Sequence, residues 1–314
     1  MTDFASAAEI LEKVGGGHSS TGSVWQRTQK WGELYRQAEE EEQAQAKEVE
    51  TSQGIVPGEV VENRRMGVAM DGTLIHIRQE GWKEVKVGCV FEVGKEEVIE
   101  EQTQEEIEVG RAVNNSYVAY LGGPEVFGQR VWAEAKRRNW TKAVETQALG
   151  DGAVWIWNLA EEHFYDSEQV VDWYHGKEHL ARAAQALHGE GTPSMQRWLN
   201  EQETRLYQGH AGDIATTLRS EGQRTPSVQE VLLQEAGYFE NNKRRMDYLE
   251  MRIQGWVIGS GMVESGGKQY KQRMAGPGMQ WCRTGAERLL PVRSAILSGR
   301  FDQIWQQVYN SPRN

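Results

Sequence analysis

The chain has 314 residues, 26% of them charged, with a formal net charge of −11 and twelve tryptophans, a high count for this length. It is long enough for one large domain or two ordinary ones, and its charge argues against a general nucleic-acid binder. Two cysteines exclude a disulfide framework, no CxxC pair proposes zinc, and no apolar run approaches the roughly 18 residues of a membrane span. Residues 1–14 lack the basic and apolar regions of an export signal, so a soluble cytoplasmic protein is expected. Cys89 and Cys282 then read as packing residues in a reducing compartment.

In chain order, residues 4–14 put Phe4, Ala7, Ala8 and Leu11 on one side of a helix. The run GGGHSS at 15–20 breaks it, and Ser19, Ser20 or Thr21 can cap a second helix carrying Val24, Thr28, Trp31 and Tyr35 at helical spacing. Residues 1–37 are thus a helical unit. It is either a helix-turn-helix whose second helix offers Arg27, Lys30 and Arg36 to DNA, or a simple helical hairpin. Residues 38–63 hold eight acids against one lysine, as do residues 92–108, and both stretches read as solvated connecting segments.

From 66 the pattern becomes strand-like. Residues 66–77 and 85–93 are β-rich around a turn at 79–82, and 116–121 reads as a third strand. Residues 125–138 read as a helix ending in Lys136, Arg137 and Arg138, cations that suit a C-terminus. A weaker strand at 141–149 runs into GDG at 150–152, and 169–172 is another strand candidate. Between them 154–160 is short and aromatic, with Trp155 and Trp157 as packing residues about Ile156. Three antiparallel strands followed by strands interleaved with helices describe a mixed α/β sheet. The pattern from 174 to 256 is helical, with breaks near 189–193 and 223–226.

The chemistry concentrates in three acids. Asp71 interrupts an apolar strand, and a carboxylate facing a sheet core is costly unless it binds a cation or is well hydrogen-bonded. Asp151 follows a strand, between glycines that clear the backbone for a ligand, although a lone Asp-Gly is most often a turn. Glu264 falls in the first turn of a helix that Ser260 is placed to cap, and Gly266 and Gly267 keep one side of that helix bare. Lys268 and Lys271 share the Glu264 face, and residues 266–300 hold seven cations against one acid, a basic island in an acidic chain. A Glu with Lys four residues on is also a routine solvated pair. Three carboxylates on separate elements suit Mg²⁺ or Mn²⁺, and two such ions can drive in-line displacement at phosphorus.

The pieces MDGT at 70–73, GDGA at 150–153, DWYH at 172–175 and GSGMVES at 259–265 together resemble the DDE transposases of bacterial insertion sequences, in particular the ISKra type with its kinship to Mutator-like transposases. The likeness covers roughly 67–305 in the right order, and 259–297 is its most specific block. It implies an RNase H-like α/β core whose first part spans 64–175, a helical insertion over 176–256, and C-terminal core helices over 257–310 carrying the glutamate. By this resemblance Asp71, Asp151 and Glu264 are the metal-holding triad of a magnesium-dependent enzyme that cuts and joins DNA, with Mn²⁺ able to substitute. Its partners are transposon ends and target DNA, bound by a homo-oligomer on paired ends near the nucleoid. Asp172 and His175 match the Asp-x-x-His signature of related transposases. There the histidine either orients the scissile phosphate and carries a proton or is bonded to Asp172 for structure.

His179, four residues beyond His175, raises a zinc pair, but no third soft ligand accompanies it. Lys268, Lys271 and Arg273 are the expected DNA-phosphate contacts, and Trp281 is either a core residue or a ring that stacks on an unpaired base. More sequence commonly precedes the core in this family, so Met1 is expected to mark a shortened N-terminus. The alternatives are a stand-alone metal-dependent nuclease of the same fold and a DNA-binding remnant without activity.

Overall fold

The computed structural model describes residues 3–53, 64–99, 106–276 and 278–310. At its centre is a five-stranded mixed sheet. Its strands are β1 (Arg65–Ile77), β2 (Gly81–Ile99), β3 (Glu106–Tyr120), β4 (Glu145–Gly150) and β5 (Glu168–Val171), in the order β3-β2-β1-β4-β5. β1, β2 and β3 form an antiparallel meander, while β4 and β5 run parallel to β1. Met66–Met70 of β1 are all buried, the unbroken run expected of a strand covered on both faces. This α/β arrangement is compatible with an RNase H-like fold.

The two faces are covered by different helices. α3 (Pro124–Arg137) fits over Gly88 of β2, where an added Cβ would lie 2.7 Å from Val131. α4 (Val154–His163) continues that layer, with Ile156, Leu159 and Ala160 fully or almost fully buried. On the other face α10 (Gly261–Met274) approaches so closely that a Cβ on Gly266 would lie 2.5 Å from the Tyr117 ring of β3. The bare side of α10 is therefore a packing surface against the sheet.

Between β5 and α10 lie α5 (Trp173–His188), α6 (Pro193–Tyr207), α7 (Ala211–Arg224), α8 (Gln229–Asn242) and the short α9 (Tyr248–Ile253). The breaks expected near 189–193 and 223–226 fall between α5 and α6 and between α7 and α8. The chain then returns to the sheet through a buried amide. Gln147 of β4 donates from Nε2 to the Val257 carbonyl at 2.8 Å, and its Oε1 accepts from the Val257 N–H at 3.0 Å. That pair satisfies both backbone groups in a place water does not reach.

The N-terminal helix α1 (Phe4–Gly15) packs on α2 (Thr21–Gln53), and α2 packs on the C-terminal helices α11 (Arg283–Leu297) and α12 (Phe301–Asn310). Gly32 of α2 sits where a Cβ would come within 2.1 Å of the Arg288 carbonyl, and Trp31 lies 4.0 Å, ring to ring, from Trp305. The second helix of the expected hairpin is thus built into the body of the protein along one side.

Three expectations change. Residues 38–53, read as a linker, continue α2 without a break, because Glu, Gln, Ala and Lys are all strong helix formers. Residues 54–63 of that stretch lie outside the described residues. The acidic stretch 92–108 is paired strand on either side of 100–105, which also lie outside them. There the ion pairs Lys95–Glu108 and Arg111–Glu96 cross between β2 and β3 and turn charge into strand pairing. Finally, Cys89 is buried as expected but Cys282 is exposed.

Candidate active site

The parallel strands set the geometry. Register pairs Ala69 with Leu149 and Gly150 with Val171, so Asp71, Asp151 and Asp172 arrive at the same level on three adjacent strands. This is the carboxyl end of β4 and β5, the edge at which parallel sheets gather ligand-binding groups, set beside the middle of the longer β1. Asp71 and Asp151 are half-buried, and Asp172 is 1% exposed.

Each aspartate is held by backbone as well as by position. Asp71 Oδ1 accepts from the Gly72 N–H at 2.6 Å, and Asp151 Oδ1 accepts from the Ala153 N–H at 2.8 Å. Asp172 caps α5, accepting from the Tyr174 N–H, and bonds His175 Nδ1 at 2.7 Å through its other oxygen. It also accepts from the Ser260 N–H at 2.9 Å, which fixes the start of α10 to the end of β5. Ser260 does lie at the N-cap of α10, but its side chain makes no capping bond. Its amide contact with Asp172 has no sequence signature.

Electrostatics separate the three roles. Burial, with the negative charges of Asp151 and Asp172, pushes the Asp71 carboxyl above the usual range, against the opposing Gly72 N–H and His175. Burial alone would also raise Asp172, but the bonds from His175 and Ser260 outweigh it and hold that carboxyl below its ordinary value. The Asp172 bond in turn raises His175 to about 9, although burial opposes it, so the ring is an imidazolium at neutral pH. Asp172 and His175 form one ion pair beside two carboxylates that crowd each other.

Glu264 stands apart. It lies in the first turn of α10 with half its side chain exposed, ion-paired to Lys268 at 2.7 Å. Among the described residues, no three His, Cys, Asp or Glu side chains converge into a group that could hold a metal ion. The donor set still fits a divalent cation. It consists of hard carboxylate oxygens, and a cation between Asp71 and Asp151 would offset both the burial that chiefly raises Asp71 and the smaller push from the Asp151 charge. An exposed Glu–Lys pair at this spacing is worth only about 0.3–0.5 kcal/mol, so Lys268 is a weak competitor for Glu264.

The expected DNA contacts divide. Lys268 and Lys271 are both exposed on α10, Lys268 within its ion pair with Glu264. Arg273 instead lies over the rings of Phe4, at 4.7 Å, and Trp281, at 5.5 Å. Trp281 is 8% exposed, its Nε1 donates to the Met274 carbonyl at 2.7 Å, and its backbone pairs with the end of β1, which is the packing reading of this residue. These residues with Trp25 and Arg78 line a groove of about 400 Å³ at the carboxyl end of β1, past Asp71 along the strand.

His179 is likewise engaged, bonding Glu235 at 2.5 Å and stacking on Tyr238 with ring centroids 3.3 Å apart. It and His175 have separate carboxylate partners and do not form a zinc pair. Tyr238 was not legible as a site residue, since an aromatic at helical spacing reads as core. Yet it donates to the Asp151 carbonyl at 2.8 Å. No helix among the described residues is long and apolar enough to cross a membrane. Compared with models of known protein families and with curated proteins, the chain matches none.

Proposed function

We propose that this chain is a DDE-type transposase, which hydrolyses DNA at transposon ends and then transfers the freed 3′-hydroxyl to target DNA. The observation that carries the reading is the row Asp71, Asp151, Asp172, level across three adjacent parallel strands, in the middle of β1 and just past the ends of β4 and β5, with the start of α10 tied to that row through Ser260. In this reading the sheet is an RNase H-like core, and α5–α9 are a helical insertion between its last strand and its final helices.

Asp71 and Asp151 would hold divalent cations, with Glu264 joining them after leaving Lys268. When bound, two Mg²⁺ or Mn²⁺ ions supply activation of the attacking oxygen and stabilisation of the leaving oxygen at phosphorus. Asp172 keeps His175 protonated and fixed in orientation, so a positive ring stands beside the carboxylates where a phosphodiester would enter. Lys268 and Lys271 extend that positive potential along α10 for the DNA backbone. In the first step a water oxygen bonds to phosphorus and the 3′-oxygen leaves with a proton. In the second, that 3′-hydroxyl oxygen gives up its proton as it bonds to a target phosphorus, and the 3′-oxygen it displaces leaves with a proton. Action on paired ends requires at least two copies of the chain, working on the bacterial nucleoid.

The test is strand cleavage and joining on DNA carrying the element's own ends, with Mg²⁺ or Mn²⁺, for wild type and Asp151→Asn. Metal-dependent cutting and joining, lost in the variant, is expected. Cutting without joining would replace the transposase by a nuclease of the same fold. DNA binding with no reaction would replace it by a non-catalytic remnant, and equal activity in the variant would remove Asp151 from the chemistry.

A further inference from the structure

The turn that carries Asp151 is gripped from the helical side of the molecule. The Tyr238 hydroxyl, on α8, donates to the Asp151 carbonyl at 2.8 Å, across 87 positions of sequence. The same ring lies against Gly152, where an added Cβ would come within 2.7 Å of Tyr238 Cε2. Gly152 also has φ +101°, a conformation that residues with side chains rarely adopt. The turn therefore fits the ring in two ways, by a hydrogen bond and by the missing side chain.

Tyr238 is itself locked. His179 of α5 stacks on it with ring planes 11° apart and centroids at 3.3 Å. Glu235, 3% exposed and one helical turn before Tyr238, bonds His179 at 2.5 Å and Arg182 at 3.0 Å. A buried carboxylate shared by two cationic or polar partners is costly to break and holds one geometry. Its effect is to fix α5 to α8 at the point where Tyr238 reaches the turn. None of these four side chains touches the Asp71 or Asp172 carboxylate in any bond the structure contains among its described residues.

We infer that Tyr238 is a positioning residue for Asp151, and that the His179–Glu235–Arg182 cluster sets the ring that does the positioning. The inference rests on the proposed metal-dependent chemistry only for its consequence, because the grip on the turn exists whatever the turn does. For a carboxylate that must meet a metal and a phosphate together, displacement of about 1 Å can cost about a hundredfold in rate. Partners that orient metal-holding groups from outside typically alter metal affinity by about 10–100-fold when removed.

The experiment compares full-length wild type with Tyr238→Phe, which keeps the ring and its stack on His179 but deletes the hydroxyl. Hydrogen exchange is followed across 150–154 and across α8 without metal, and Mn²⁺ binding is then titrated by calorimetry. The expected result is faster exchange confined to 150–154, with Mn²⁺ binding weakened about 10-fold. Cleavage by the variant should recover at high Mn²⁺, whereas Asp151→Asn should not. Unchanged exchange at 150–154 overturns the inference, and acceleration spread equally over α8 overturns it as well, by making the hydroxyl a general packing group. A wild type that binds no Mn²⁺ sinks the metal-dependent function, while the exchange comparison still decides the role of Tyr238.

Discussion

Two buried side chains carry more of the architecture than their neighbours. Gln147 is fully buried and satisfies both backbone groups of Val257, which returns the chain from the helices to the sheet. Replacing it by leucine keeps the volume but strands a buried N–H and a buried carbonyl. With each of the two orphaned groups costing about 1–3 kcal/mol, Gln147→Leu should lose roughly 2–6 kcal/mol in a denaturant titration. Asp172 plays the equivalent part in the site, where its charge holds the His175 proton. Asp172→Asn removes the cause of the raised value of about 9, so the His175 titration followed by NMR should fall toward the ordinary 6.5. A ring that still titrates near 9 would show that Asp151 and Glu178, the other nearby acids, hold the proton instead.

At the scale of elements, the N-terminal helices belong to the body of the protein. α2 closes on α11 through Gly32, which has no room for a Cβ beside the Arg288 carbonyl. Gly32→Ala should improve helix propensity by about 1 kcal/mol and yet destabilise the chain by about 1–3 kcal/mol, because backbone must move. Thermal unfolding reads the balance. The same contact is sensitive to acid. Hydrogen bonds from Arg36 and Arg288 hold the Glu33 carboxyl down to about 2, from an ordinary 4.5. Since the folded state depresses this value, the stabilisation is complete above the unfolded value and disappears as pH falls from about 4.5 toward 2. Glu33→Gln should therefore flatten the acid limb of the stability profile over that window, and leave the profile above it parallel to wild type.

For the molecule as a whole, the proposed function sets a charge of −11 against a DNA substrate, and on that proposal the exposed lysines of α10 are where the DNA is met. Each phosphate contact contributes about one unit to the slope of log affinity against log salt. Lys268→Ala and Lys271→Ala should each weaken DNA binding without regard to sequence and reduce that slope by about one, as read by binding titrations at several salt concentrations. An unchanged slope would move the DNA path off α10.

Much of this was legible in the chain itself. Alternating and continuous apolar runs marked β1, the cores of β2 and β3, and β5, and glycine-proline breaks separated α5 from α6. Asp71 and Asp151 stood out because a carboxylate in an apolar strand, or one flanked by glycines, needs a reason. The extent of α2 and of the β2–β3 ribbon was hidden, because charge counts describe solvation and say nothing of which acid meets which base. Only the tertiary structure decided that Asp172 shares the level of the other two aspartates, since strand register is set between strands. It also decided that Tyr238 reaches the Asp151 turn, because contacts across many tens of residues are fixed by packing and leave no local pattern to read.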